Sequence, residues 1–245
     1  MRQVFDWILD FLLFLMYPFF SPSINLFNSG FLEKASGKVV RRKRELAPFT
    51  HLNLSGSFDV FIQKRSEFSV EIETDENYHD NVVCRIEQGI LHIASFGSFV
   101  NTSTLKIIIY ISDLKELKVS GAVRVFSPVN VFASSARVIA SGVPKLDLKV
   151  SVDSFTGVLK GKCSLDLEGD ISRAHCYVLG ASSLKALNCS VKSWCINSDG
   201  ASVCYLNGLN RIKAESRGVS RVFYIKRRAL KKEENKNGIY GMQKV

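Results

Sequence analysis

The sequence predicts an all-β fold: a single-domain, right-handed parallel β-helix, a solenoid of coils about 20 residues long preceded by an N-terminal hydrophobic segment. Three observations carry that reading. A glycine returns at Gly121, Gly142, Gly161, Gly180, Gly200 and Gly218, at intervals of 18 to 21 residues. Repeats of this length belong to stacked architectures whose units cannot bury a hydrophobic face alone. After each glycine the fourth and sixth positions are mostly apolar: Val125; Leu146 and Leu148; Leu165 and Leu167; Leu184 and Ala186; Cys204 and Leu206; Val222 and Tyr224. The fifth position is polar or mixed: Phe126, Asp147, Asp166, Lys185, Tyr205 and Phe223. A period of two marks short strands with one face inward. Finally, nothing between Leu46 and Ile225 has the 3.6-residue periodicity of a long amphipathic helix.

Taken from the N-terminus, residues 1–23 contain the apolar run Val4 to Phe20, densest at Phe11 to Tyr17, with Arg2 ahead of it and Ser21-Pro22-Ser23 behind. Its length suits the apolar region of a signal peptide, and Asp6 and Asp10 argue against a transmembrane helix, so a signal peptide or membrane-associated segment is expected. The other reading is an amphipathic helix capping one end of the solenoid, as terminal repeats often need. No cysteine follows the run to carry a lipoprotein anchor. Residues 24–45 read as a basic linker ending in Arg41-Arg42-Lys43-Arg44. The β-helix is expected over 46–226. Its first unit, Ser55-Gly56-Ser57-Phe58-Asp59-Val60-Phe61-Ile62, repeats the template with Val60 and Ile62 inward. Strand-like runs follow at Phe68 to Glu73, Val82 to Glu87, Ile90 to Ala94 and Leu105 to Ile111, with turns at Asp75-Glu76-Asn77 and Gln88-Gly89. In the later units Gly56, Gly121, Gly142, Gly161, Gly180, Gly200 and Gly218 mark corners, since glycine accepts positive φ and close backbone approach. Residues 227–245 read as a basic, disordered tail.

The stretch from Gly37 to Ile62, with its core Ser55-Gly56-Ser57-Phe58-Asp59-Val60, resembles the opening of the bacterial family described as "putative auto-transporter adhesin, head GIN domain". Glu73 to Asn77, Gly89 to Ile93 and Leu117 to Ala122 are similar to that family's pattern in the same order, so the resemblance covers roughly residues 37 to 225. It implies the β-helix and an adhesin-like role, and it brings no catalytic residues.

Lysine and arginine number 33 against 23 aspartates and glutamates, a formal net charge of +10. Much of the excess lies in Arg41 to Arg44 and in Lys226 to Lys232, where it reads as solvated linker and tail. Aromatic residues are not interleaved with these clusters, which ranks nucleic acid low as a partner. The six cysteines, Cys84, Cys163, Cys176, Cys189, Cys195 and Cys204, include no Cys-x-x-Cys pair, so no metal is expected. Cys176 and Cys195 stand 19 residues apart, about one coil, and are the pair to form a disulfide in an exported chain. The other reading is buried thiols serving as small apolar ladder residues.

Catalytic chemistry has little to build on. Asp147 and Asp166 share the fifth position of adjacent coils, where stacked carboxylates could serve acid–base work. Asp170, Arg173 and His175 form a further local set, and His51, His79 and His92 are scattered. The functional expectation is a non-enzymatic, exported cell-envelope or surface protein. Its β-helix faces, above all Phe126, Asp147, Asp166, Lys185, Tyr205 and Phe223, would contact a surface, a glycan or an envelope protein, with no cofactor. Alternatives are a carbohydrate-active β-helix using Asp147 and Asp166, and a scaffold that self-assembles by end stacking.

Overall fold

The computed structural model describes residues 35–96, 105–225, 231–234 and 239–242. It is a β-solenoid of about six turns. The parallel stack is clearest in its second half. There β10 (Phe132–Gly142), β11 (Lys145–Gly161), β12 (Ser164–Gly180), β13 (Ser183–Ser198) and β14 (Val203–Ser216) each pair in parallel with the next, followed by β15 (Arg221–Ile225) on β14. Strands β11 and β12 are 17 residues long because apolar and polar residues alternate through almost the whole coil.

In-register stacking turns the inward positions into continuous columns. Val60, Val125, Leu146, Leu165, Leu184, Cys204 and Val222 form one, each at most 2% exposed. A second column runs Ala136, Phe155, Ala174, Trp194, Ile212, in which alanines on either side of Phe155 and before Trp194 make room for the bulky rings in a narrow interior. The indole Nε1–H of Trp194 donates to the Asn207 carbonyl at 3.3 Å.

The corners carry Gly56, Gly121, Gly142, Gly161, Gly180, Gly200 and Gly218 in one column, every one at positive φ. From Gly121 onward the residue after each glycine donates its N–H to the glycine carbonyl one coil earlier, from Ala122 on Gly56 at 2.8 Å to Val219 on Gly200 at 2.9 Å, while Ser57 after Gly56 donates to the Ser95 hydroxyl at 3.2 Å. Gly180 illustrates the requirement: at φ +78° a Cβ would stand 2.7 Å from the Gly161 carbonyl oxygen.

Chain order and spatial order part company in the first half. Strand β2 (His51–Gly56) lies between β6 (Ile90–Ser95) and β8 (Leu114–Gly121), and β3 (Asp59–Lys64) lies between β7 (Lys106–Ile111) and β9 (Arg124–Ser127). The chain therefore places its first coil second in the stack. At the leading end antiparallel strands take over: β5 (Val82–Glu87) on β6, β4 (Ser69–Asp75) on β7, and β1 (Val39–Glu45) on β4. They cover edges that a parallel stack would leave open.

Two boundaries differ from the sequence reading. The expected linker over 24–45 becomes strand β1 from Val39 to Glu45, because its basic side chains meet the acids of β4: Arg41 Nε donates to Glu73 at 2.8 Å and Arg41 lies 3.5 Å from Glu71. The tail expected to be disordered from 227 contributes β16 (Lys231–Glu234) on β14 and β17 (Ile239–Met242) on β15, continuing the ladders one rung further. The apolar segment of residues 1–23 lies outside the described residues. Among the described residues no helix is long and apolar enough to cross a membrane.

Candidate functional site

Lateral register brings the fifth-position residues into one outward ladder, in the order Phe126, Asp147, Asp166, Lys185, Tyr205, Phe223. The ladder is longer than its sequence signature. Phe61 precedes Phe126 and Tyr240 follows Phe223, giving a line of about 34 Å at ~4.8 Å per rung. Phe61 obeys the same template, five residues after Gly56, so its place was legible. Tyr240 has no template glycine ahead of it, and only the pairing of β17 reveals it.

Aromatic groups occupy both ends and charges the middle. The Phe61 and Phe126 rings meet edge to face, centroids 6.0 Å apart at 72°, with Lys106 Nζ 5.0 Å from the Phe61 centroid. At the other end Tyr205 and Phe223 stack at 5.2 Å and 12°, and Phe223 and Tyr240 at 5.3 Å and 26°. Phe126 is 40% and Tyr240 49% exposed even with these ring contacts, large values for aromatic side chains.

Between Phe126 and the two aspartates lies an open groove of about 340 Å³, lined among others by Phe61, Phe126, Arg124, Lys145, Asp147 and Asp166. A second lateral column flanks it, running Asp59, Arg124, Lys145, Ser164. Arg124 is held by Asp59 through two hydrogen bonds of 2.5 and 2.6 Å, a bidentate pair that sequence spacing does not reveal. Burial, together with Asp147 one rung away, holds the Asp166 carboxyl above the ordinary carboxylate range, while Lys185 pulls in the opposite direction.

A second groove of about 290 Å³ lies on a different stretch of the coils and is lined by Ser151, Asp153, Asp170, Ser190 and Lys192 among others. Of the local set named from sequence, only Asp170 lines it. His175 packs on Tyr177 at 4.7 Å and lies 3.3 Å from the Asn197 amide. The remaining histidines are structural: His79 Nε2 is 2.9 Å from the Val40 carbonyl and ties β1 down, His51 meets the Thr50 hydroxyl at 2.9 Å, and His92 lies 3.4 Å from Asn53. Among the described residues no group of three or more histidine, cysteine or acidic side chains is placed to hold a metal.

The candidate Cys176–Cys195 disulfide is absent: all six cysteines are free, and Cys163, Cys176, Cys189 and Cys204 are buried as small core residues. Cys176 pairs laterally with Ile196, and Cys195 with His175. The offset from β12 to β13 is 19 residues at Asp166↔Lys185 but 20 from Gly169↔Cys189 onward. One inserted residue in a period-two strand moves a side chain to the opposite face. Cys176 is therefore buried in the core while Cys195 points outward. Burial raises the thiol pKa of Cys189 and Cys204, each to about 12.

No curated protein matches the chain. Solved structures of similar fold include a putative adhesin from Bacteroides fragilis, with TM-score 0.75 and 16% identity over 87% of this chain and 100% of that one. A putative adhesin from Parabacteroides distasonis has TM-score 0.66 and 18% identity over 85% and 98%. One from Parabacteroides merdae has TM-score 0.64 and 18% identity over 86% and 99%. At these identities the likeness establishes the fold. The family model described as "Putative auto-transporter adhesin, head GIN domain" matches residues 48–227, the span that carries the glycine column and the outward ladder as far as Phe223, and the chain belongs to that family.

Proposed function

We propose that the chain is an exported, non-enzymatic contact protein of the cell envelope or surface, and that it acts through the outward ladder from Phe61 to Tyr240. The observation that carries this is the ladder's composition: five of its eight outward rungs are aromatic, the residue class that binding surfaces favour, and they stand in register on one sheet face. The family description and the names of the structural neighbours agree with an adhesin-like role. The apolar run of residues 4–20, ahead of the described residues, supplies the route out of the cytoplasm.

The carbohydrate-active alternative has less support. Asp147 and Asp166 stand side by side on one open sheet face. A pair of catalytic carboxylates has to flank the scissile bond from two sides.

Beads carrying the full chain, washed over surfaces coated with polysaccharide, extracellular protein or lipid, test the contact role. Retention on at least one surface should fall strongly in the Phe126→Ser/Tyr205→Ser/Phe223→Ser variant while the melting temperature stays close to wild type, because all three side chains point away from the core. Retention equal to wild type would sink the ladder as the contact surface. Recovery of the full chain wholly in the soluble cytoplasm with Met1 intact would sink the export half of the proposal.

A further inference from the structure

The groove beside Phe126 has a lining that selects among ligand classes. Its apolar wall is built on Phe61 and Phe126, set edge to face, with Phe126 40% exposed. Next along the same ladder come the Asp147 and Asp166 carboxylates, one rung apart, which accept hydrogen bonds. In the parallel column two residues away stand Lys145 and Ser164, which donate them, while Arg124 is already engaged by Asp59. Acceptors and donors thus run in two adjacent rows next to an aromatic ring.

A polyhydroxylated ring matches each of these features. Its hydroxyls both donate and accept, and its C–H face packs on an aromatic surface. A volume of about 340 Å³ also falls in the range of small-ligand sites, ~300–1,000 Å³. Other classes fit less well. An extended peptide that adds a strand needs free backbone groups, but β9 is paired on one side with β3 and on the other with β11. A protein interface needs a broad apolar centre, whereas only one large apolar side chain of this groove, Phe126, is well exposed. An anionic polymer would meet the Asp147 and Asp166 carboxylates, one rung apart in the groove lining, as like charges.

We propose that this groove binds a neutral oligosaccharide, with the sugar ring on Phe126, its hydroxyls on Asp147 and Asp166, and the glycan chain running along the ladder. This rests on the contact reading above and names the ligand class for it. The full chain is titrated calorimetrically with neutral hexasaccharides of glucose, mannose and N-acetylglucosamine, and with hexagalacturonate as the charged counterpart. At least one neutral hexasaccharide should bind. Phe126→Ala and Asp147→Ala/Asp166→Ala should each weaken it by about tenfold or more, Phe126→Trp should stay within about threefold, and hexagalacturonate should bind at least about tenfold more weakly. Melting temperatures of the variants separate a lost contact from a lost fold. Binding indifferent to Phe126→Ala, or tightest for hexagalacturonate, overturns the proposal. If no sugar binds while beads still attach to a protein-coated surface in a Phe126-dependent way, the glycan is wrong and the contact face stands. If shorter sugars are released, the ligand class stands and the non-enzymatic reading falls.

Discussion

Gly180 and Gly89 both have positive φ, +78° and +74°, yet they answer to different constraints. A Cβ at Gly180 would meet the Gly161 backbone at 2.7 Å, while one at Gly89, in the turn between β5 and β6, would meet nothing within 4 Å. Gly180→Val should therefore cost at least the ~1–3 kcal/mol of a strained backbone site, with the clash in addition. Gly89→Asn should cost little, because asparagine tolerates the left-handed region. Chemical denaturation of the two variants checks this, and equal midpoints would contradict the stacking constraint. The corner column was legible in the sequence because only one residue type satisfies both demands at every turn. The cysteine pairing was not, since a single extra residue between Asp166 and Cys189 changes which face Cys195 occupies. The Arg124–Asp59 pair was equally hidden, as its partners are 65 residues apart in the chain.

Among the elements, β11 to β14 were readable because each repeats the same alternation, and the outward ladder came with them. Their stability depends on columns rather than on single strands. Trp194 on β13 is 1% exposed, with Ala174 beside it on one neighbouring strand and Ile212 on the other. Trp194→Ala should cost about 3–5 kcal/mol, since Ala174 is too short to reach into the space the indole would vacate and Ile212 is already buried in its own rung. A loss below about 1 kcal/mol by denaturant titration would mean that neighbouring coils collapse into the space. Strand β1 was misread as linker because four consecutive basic residues look like a solvated charge run. Only its antiparallel register on β4, with Arg41 opposite Glu73 and Lys43 opposite Glu71, explains why such a sequence forms a strand.

At the scale of the whole molecule, the ends decide whether a solenoid stays a single particle. The leading end is covered by antiparallel strands. At the trailing end, Lys232 of β16 takes the register position of Ile212 and Glu234 that of Ala214, so charged residues stand where two apolar columns would continue. Charged residues at the register positions of apolar core columns discourage further stacking. Lys232→Ile/Glu234→Ala should raise the mass measured by light scattering above that of wild type at the same concentration. An unchanged mass would show that these two positions do not guard the end. What the sequence determined by itself was the coil: its length, its inward and outward faces, its glycine corner and seven of the eight rungs of the ladder. Each of these is a local regularity repeated down the chain. Tertiary structure alone decided the placement of the first coil behind β6 and β7, the antiparallel cover, the side on which each cysteine lies, and the meeting of Phe61, Arg124 and Asp147 around one groove. Those features rest on contacts between residues far apart in the chain, and such contacts have no period to read.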